Sequence, residues 1–156
     1  MRRIYVAGGC FWGVQGYFKT INGIIFSTVG YANSAINNPS YQQVKAHITN
    51  AVETVELYYD ESKITLVEII NKLFDVIDPT ALNYQGPDFG SQYRNGIYYE
   101  VDSDLAVIQD TINNLAKNYS KPVVTEIKKL ENYFLAEEYH QDYTDKNPNV
   151  ACHIDF

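Results

Sequence analysis

Cysteine is scarce in this sequence. Cys10 and Cys152 are its only two cysteines, and they stand near opposite ends of the chain. Two thiols so far apart exclude a disulfide-rich scaffold, a Cys-x-x-Cys redox pair and a structural zinc site built from cysteines. Any role for cysteine here therefore belongs to an individual thiol.

Positive charge and long apolar runs are scarce as well. The chain has 12 Lys and Arg against 19 Asp and Glu, a formal net charge of −7, which argues against nucleic acid as the main partner. No apolar run approaches the roughly 20 residues that cross a bilayer. The apolar stretch after Arg2-Arg3 is too short for a secretory signal. We therefore expect a cytoplasmic protein with no membrane partner.

Internal repeats, low-complexity tracts and linker-like boundaries are absent from the sequence. A length of 156 residues suffices for one sizeable hydrophobic core. We therefore expect residues 1–156 to form a single domain.

The apolar periodicity predicts an α+β fold. It indicates strands over residues 4–7, 24–29, 51–59, 92–101 and 123–127, and helices from near residue 10 and over 66–76, 102–118 and 136–143. Residues 31–40 and 78–91 are predicted to be long loops. The order β-α-β-β-α-β-α-β favours a ferredoxin-like two-layer α/β sandwich with helices on one face of a sheet and an irregular C-terminal tail.

The segment Gly8-Gly9-Cys10-Phe11-Trp12-Gly13 joins the first predicted strand to the first predicted helix. A thiol at a helix start meets unpaired N–H groups and the positive end of the helix, which favour the thiolate. The glycines leave room beside the sulfur, and Phe11 and Trp12 are candidates for an apolar pocket. The alternative is that Cys10 is a small buried hydrophobic residue.

The second cysteine lies in the C-terminal tail. Cys152 follows Asn147-Pro148-Asn149, a segment that we expect to swing, as a resolving thiol must do to reach a sulfenic acid formed elsewhere. The alternative is an exposed cysteine without a role.

Glu53 lies among Val52, Val55 and Leu57 in a predicted strand. If it points inward, burial favours its protonated form, which suits it to donate a proton beside Cys10. If it points to solvent, it has no such role. Glu56 must face the opposite side of the strand, so only one of the two can be the acid.

Further polar candidates are Asp88 and Tyr93, in the glycine-rich segment 85–94, and Tyr41. Their side chains could bind a small polar group, although a plain surface loop fits the same pattern. Metal and nucleotide sites are weakly supported: Glu137-x-x-His140 lacks the second copy that a di-metal site needs, and the early glycines lack dinucleotide or P-loop spacing. We therefore expect neither a metal nor an organic cofactor.

Motifs in one order along nearly the whole chain carry a resemblance to a known family. They are Gly9-Cys10-Phe11-Trp12-Gly13, Gly30-Tyr31-Ala32-Asn33, Tyr41-x-x-Val44, Glu53-x-Val55-Glu56-Leu57-x-Tyr59-Asp60, Asp78-Pro79-Thr80, Gln85-Gly86-x-Asp88-x-Gly90-x-Gln92-Tyr93-Arg94, Ala136-Glu137-Glu138-Tyr139-His140-Gln141-Asp142-Tyr143 and Asn147-Pro148. In these motifs the chain resembles the methionine sulfoxide reductase A family, which reduces the S epimer.

The resemblance implies a role for each candidate residue. Cys10 would attack the sulfoxide sulfur as a thiolate, and Phe11 with Trp12 would hold the methyl group on that sulfur. Glu53 would protonate the sulfoxide oxygen. Tyr41 and Tyr93 would hydrogen-bond that oxygen, and Asp88 would hold the polar side of the site.

The resemblance also implies a thiol cycle. Reduction of protein-bound or free methionine sulfoxide would leave a Cys10 sulfenic acid, which Cys152 would convert to a disulfide for thioredoxin to reduce. We expect a monomer. A thiol peroxidase or redox sensor would use the same two cysteines without Glu53, and a non-catalytic peptide-binding module would not need Cys10.

The chain departs from common family motifs in a few places. It has Lys45-Ala46-His47 where Cys-Thr-Gly is common, and Asn50-Ala51-Val52-Glu53 where Gly-His-Ala-Glu is common. Pro87 stands where Asn often precedes the aspartate, and Ala151 where Tyr is frequent. The altered segment leads directly into Glu53, so these departures bear on how the Glu53 carboxyl is supported.

Overall fold

The computed structural model describes residues 1–147. Its strands are β1 Arg2–Gly8, β2 Ile24–Ala32, β3 Val52–Tyr59, β4 Tyr84–Gln85, β5 Asp88–Phe89, β6 Asn95–Tyr99, β7 Glu126–Lys129 and β8 Tyr133–Leu135. Its α-helices are α1 Phe11–Lys19, α2 Tyr41–Lys45, α3 Leu66–Phe74, α4 Ser103–Ala116 and α5 Tyr143–Lys146, with 3-10 turns at Ser91–Tyr93 and Glu138–His140.

Six of the strands form one mixed sheet in the order β7-β6-β1-β3-β2-β8. Strand β1 lies at its centre, antiparallel to both β3 and β6, and β2 is antiparallel to β3 and β8. Only the β6–β7 pair is parallel among the described strands. The predicted α+β class is confirmed, and the central order β6-β1-β3-β2 is compatible with the ferredoxin-like prediction.

The strands place alternate residues on different faces of the sheet. Ile4 and Val6 of β1 belong to the main core with α1, α3 and α4, whereas Tyr5 and Ala7 pack on the other face beneath Leu130 and Tyr133. This alternation is the period of two that a strand imposes. On β3, Val55 and Leu57 share the helix-covered face, and Glu53 has the same parity.

Capping residues mark where helices begin. The Thr65 hydroxyl accepts the Glu68 N–H at the start of α3, and the Glu68 carboxylate accepts the Thr65 N–H. Ser40 and Gln43 form the same reciprocal pair at α2. Such boxes satisfy N–H groups that have no partner within the helix.

The predictions for residues 31–40, 78–91 and 123–127 were wrong in detail, and one short helix was not predicted. Residues 31–40 are not all loop, because β2 continues to Ala32. Residues 41–45, which no pattern indicated, form α2. The loop over 78–91 contains the β4–β5 hairpin, and the strand predicted over 123–127 is β7, shifted to Glu126–Lys129.

The helix predicted over 136–143 was also wrong. Within this stretch only Glu138–His140 form a 3-10 turn, and α5 begins at Tyr143. Two features prevent a continuous helix. Asp142 has a left-handed backbone with φ 53°, and the Gln141 amide pairs with the Val29 backbone: its oxygen accepts the Val29 N–H at 2.9 Å and its nitrogen donates to the Val29 carbonyl at 2.8 Å.

The predicted C-terminal tail, with Cys152, lies outside the described residues. Within residues 1–147, no helix combines the length and apolar character needed to cross a membrane.

Strands β2 and β8 come into close contact at Gly30. A Cβ at this position would lie 2.5 Å from Tyr133 Cζ and 2.6 Å from the Phe134 carbonyl oxygen. Because that oxygen belongs to the backbone, we expect Gly30→Ala to lower the free energy of unfolding by about 1–3 kcal/mol, measured by urea denaturation. Ile25→Ala on the same strand, where Ile25 is exposed, is the control and should change it by less than about 0.5 kcal/mol. Equal effects would contradict the close contact.

Candidate active site

Cys10 occupies the N-cap of α1, with φ −57° and ψ 120°. The preceding strand β1 ends at Gly8, and the thiol lies between strand and helix, partly accessible to solvent. The predicted strand-to-helix position is therefore confirmed. As the N-cap residue, Cys10 lies at the positive end of α1, a position that favours the thiolate form of a cysteine.

Glu53 points inward from the middle of the sheet. The residue is only 3% exposed, and its Oε1 accepts the Phe11 N–H at 3.2 Å. Phe11 is the first residue of α1, so this N–H has no acceptor within the helix. The bond therefore holds the carboxyl one residue from Cys10. Glu56 lies on the opposite face, where it accepts the Tyr5 hydroxyl at 2.8 Å.

Tyr41, Asp88 and Tyr93 come from three separate elements and meet near Cys10 and Glu53. Burial, followed by the charges of Glu53 and Cys10, raises the pKa of Tyr41 to about 12. Burial and the charge of Glu53 also raise the pKa of Tyr93 above its ordinary 10.0, with Asp88 and Cys10 contributing. Both phenols are therefore neutral hydroxyl donors at neutral pH.

Phe11 and Trp12 differ in exposure. Phe11 is 1% exposed and lies between the rings of Tyr31 and His140, at centroid distances of 5.7 and 5.4 Å. Trp12 is partly buried and stacks on Tyr143 at 3.8 Å with only 8° between the planes. Trp12 is thus the more accessible of the two aromatic side chains beside Cys10.

Three neighbours of these residues were missed as site components. Glu137 accepts the Tyr31 hydroxyl at 3.1 Å through Oε1 and the Tyr41 N–H at 3.2 Å through Oε2. His140 accepts the Trp12 indole N–H at 3.0 Å through Nδ1, and Tyr143 stacks on Trp12. We call residues 136–147 the bracing segment. In the sequence, the Glu137-x-x-His140 spacing was the pattern that could have drawn attention to Glu137 and His140, but it was considered only as a metal site.

The bracing segment is itself anchored to α1. The Gln15 amide oxygen accepts the Asp142 N–H at 2.9 Å. Lys19 contacts Asp142 at 2.7 Å and also pairs with Asp145. Within residues 1–147, no group of three or more His, Cys, Asp or Glu side chains is arranged to hold a metal ion. Glu137 and His140 bind site residues of the protein instead.

Comparison with known proteins gives the family. The model of the family described as peptide methionine sulfoxide reductase matches residues 2–156. The chain belongs to this family. A relative from Metamycoplasma arthritidis (strain 158L3-1), named peptide methionine sulfoxide reductase MsrA, is 60% identical over 156 residues, covering 100% of both chains. The chain is therefore an oxidoreductase of the methionine sulfoxide reductase class.

Solved structures of reductases share the fold. Mxr1 from Saccharomyces cerevisiae in reduced form superposes with a TM-score of 0.94 at 33% identity, covering 99% of this chain and 91% of that one. A structure of Mxr1 in complex with Trx2 matches with a TM-score of 0.68 at 22% identity, covering 99% and 88%; this second likeness shows the fold alone.

The segment in which this reductase departs from common family motifs is held by the protein around it. The Asn50 carbonyl accepts the Arg94 guanidinium at 3.1 Å, and Asn50 tolerates its left-handed φ of 55°. The Thr49 carbonyl accepts the Ala35 N–H at 2.7 Å, and its hydroxyl accepts the Ala51 N–H at 3.1 Å. The backbone leading to Glu53 is therefore fixed despite the departures.

Glu137 of this reductase gives a pH-dependent test of the bracing segment. Burial opposes its ionisation, but the hydrogen bonds that it accepts outweigh burial and hold its pKa below the ordinary 4.5. Glu137→Gln keeps only one acceptor oxygen for the two groups that donate to Glu137 and removes its negative charge, so we expect a loss of about 1–2 kcal/mol in the free energy of unfolding at neutral pH. A carboxyl whose pKa is lower in the folded than in the unfolded state stabilises the fold at pH values above its unfolded pKa. This stabilisation is lost as the pH falls through the folded pKa.

The difference between Glu137→Gln and wild type should therefore be full near neutral pH and shrink in acid below the ordinary pKa. Urea denaturation across this range measures it. The neighbouring exposed Glu138 supplies the matched control, because Glu138→Gln should change the free energy of unfolding by less than about 0.5 kcal/mol. A gap that does not change with pH would rule out the ionised Glu137 as its source.

Proposed function

We propose that residues 1–156 form a single catalytic domain that reduces methionine S-sulfoxide, both protein-bound and free, with Cys10 as nucleophile and Glu53 as acid. The observation that carries the proposal is the buried Glu53 carboxyl bonded to the Phe11 N–H, one residue from Cys10. Tyr41 and Tyr93 add two hydroxyl donors beside it.

In the first step, the Cys10 thiolate attacks the sulfoxide sulfur while Glu53 protonates the oxygen. Oxide is a poor leaving group, so proton donation must accompany the attack. The S–S bond formed in this attack and the S–O bond of the sulfoxide then break as the protonated oxygen bonds to the Cys10 sulfur. The methionine sulfur gains two electrons and leaves as a thioether, and the Cys10 sulfur loses two and carries the hydroxyl as a sulfenic acid. Oε1 of Glu53 accepts the Phe11 N–H, and a neutral carboxyl carries its proton on the other oxygen.

Specificity follows from holding the oxygen and the methyl group at once. Trp12, with Phe11 beneath, supplies an apolar surface for the methyl group, and the hydroxyls of Tyr41 and Tyr93 bind the oxygen. Asp88 supports the polar side of the site, where its charge is felt by both tyrosines. Because the sulfoxide sulfur is a stereocentre, fixing two of its substituents and the attack direction selects one epimer.

We propose that Cys152 then resolves the sulfenic acid. Its thiol forms an S–S bond with Cys10 as the S–O bond breaks, and the oxygen leaves as water. Five residues beyond Asn147 span at most about 17 Å when extended. The bracing segment stacks Tyr143 on Trp12, two positions from Cys10. The proposal therefore requires Cys10 to come within this reach of Asn147.

Recycling of the disulfide belongs to a dithiol protein, and we propose thioredoxin. Two thiols of the partner become a disulfide as Cys10 and Cys152 are reduced. Mxr1, which in its reduced form matches this chain at 33% identity, has also been solved in complex with Trx2, and this supports the choice of partner class. The proposed enzyme is a cytoplasmic monomer that uses side-chain chemistry alone, with no metal or organic cofactor.

Glu53→Gln tests the acid. It keeps a hydrogen-bonding side chain but removes the transferable proton, so we expect single-turnover reduction of a methionine sulfoxide peptide to slow by about 10²–10⁴-fold. Glu56→Gln, on the opposite face of β3, is the matched control for the rate. A rate near wild type for Glu53→Gln would remove Glu53 from the mechanism. Rapid consumption of hydrogen peroxide without sulfoxide reduction would instead make the protein a thiol peroxidase.

Cys152→Ser tests the resolving thiol. It retains Cys10 and Glu53, so we expect about one methionine per enzyme in a single turnover and then a stall with thioredoxin as reductant. Mass spectrometry of the wild type after one equivalent of sulfoxide should show a Cys10–Cys152 disulfide. Sustained thioredoxin-driven turnover by Cys152→Ser would show that another route reduces Cys10. Cys10→Ser, as the control, should form no methionine at all.

A further inference from the structure

We propose that His140 is a positioning residue that fixes the orientation of Trp12 beside Cys10. For its effect on catalysis the inference rests on the proposed role of Trp12 as the methyl-binding surface. The contact itself is independent of that role.

The indole of Trp12 is held in two different ways. Tyr143 stacks on it at 3.8 Å with an angle of 8°, which fixes the plane of the ring but still allows the flipped rotamer, in which the opposite edge of the indole faces the same way. The bond from the indole N–H to His140 Nδ1, 3.0 Å long, removes this remaining freedom. His140 therefore decides which edge of Trp12 faces the thiol.

His140 is well fixed for this task. It is 1% exposed, and its ring contacts those of Tyr41 at 4.6 Å, Phe11 at 5.4 Å and Tyr139 at 4.0 Å. Within residues 1–147, its Nε2 has no hydrogen-bond partner. The ring thus directs its hydrogen bonding within this part of the chain to Trp12.

The bond requires a neutral imidazole with its proton on Nε2. A second proton on Nδ1 would set two N–H groups against each other and break the bond. Burial lowers the pKa of His140 below the ordinary 6.5, although Glu137 acts in the opposite direction. The imidazole is therefore neutral at neutral pH, and the bond to Trp12 is lost only as the pH falls below that ordinary value.

The other titratable groups around the pair respond in different pH ranges. The pKa of Glu137 is lowered from 4.5, and the pKa values of Tyr41 and Tyr139 are raised above 10.0. Cys10 lies two positions from Trp12, and its thiol can also affect the indole emission, so serine replaces it in the titration. Glu53 is bonded to the neighbouring Phe11 N–H and is retained in every variant, so a response that disappears with His140 belongs to His140.

Two variants separate the hydrogen bond from simple packing. His140→Phe keeps an aromatic ring but removes the acceptor, and His140→Asn keeps an acceptor oxygen near the position of Nδ1 without an imidazole to titrate. For methionine sulfoxide peptide, we expect His140→Phe to raise KM about three- to tenfold while the single-turnover rate at saturation changes less. His140→Asn should stay nearer wild type. The control His47→Asn should match wild type, because His47 is exposed and Asn suits its φ of 62°.

Fluorescence gives a readout that does not depend on activity. Trp12 is the only tryptophan of the chain, and a protonated imidazole in contact with an indole quenches its emission. In Cys10→Ser protein titrated from about pH 8 to about pH 5, the range of histidine, we expect quenching with a midpoint below 6.5. The quenching should persist in Cys10→Ser/His47→Asn and vanish in Cys10→Ser/His140→Asn.

The outcomes separate this inference from the proposed function. Quenching that survives in Cys10→Ser/His140→Asn, or a KM unchanged in His140→Phe, would overturn the positioning role. If the fluorescence behaves as expected but wild-type protein does not reduce the sulfoxide, the contact between His140 and Trp12 stands and the proposed function fails.

Discussion

The hydrogen bond between the Phe11 N–H and the Glu53 carboxyl is the constraint on which the site depends. It joins the first turn of α1 to the interior strand β3, using a donor that the helix cannot satisfy itself. Cys10 is covalently bonded to Phe11, so the same bond fixes how near the acid can lie to the thiol. Cys10 and the Glu53 carboxyl are therefore held close together by a hydrogen bond to the backbone.

The aromatic part of the site depends on residues from the far end of the chain. The bracing segment supplies Glu137 to the Tyr41 backbone and His140 with Tyr143 to Trp12. Its attachment to α1 through Gln15 and Lys19 keeps these supports in place. Glu53 and Cys10 are thus held by the sheet and α1, and Tyr41 and Trp12 are held by a segment packed outside them.

Strong periodicity was enough to predict much of the fold. The alternation around Glu53 and the apolar stripe of α3 each lie in elements whose packing matches their local pattern, so β3 and α3 were predicted within a few residues. Helix α2 has five residues, too few for a periodic pattern, and was missed. The stretch around Gln141 has helix-forming composition, but contacts of its side chain with β2, distant in sequence, override that preference.

For the site, too, the residues that could be predicted are those placed by local sequence, and the others depend on contacts between distant parts of the chain. The place of Cys10 at a helix start follows from local sequence, whereas the inward direction of Glu53 depends on which face of the sheet the helices cover. Tyr41, Asp88 and Tyr93 are brought together by chain folding. Their residue types made them candidates, but only the family resemblance assigned them to one site with Cys10 and Glu53. The support given by His140 was hidden for the same reason, because its partner Trp12 lies at the other end of the sequence.

The anchoring of three consecutive residues has a consequence for length variation. His140 is tied to Trp12, Gln141 to the edge of β2, and Asp142 to Gln15 on α1. Inserting or deleting a single residue within this triplet would keep at most part of these attachments, since each belongs to a different element. The number of residues in this stretch is therefore as constrained as the side chains of His140 and Gln141.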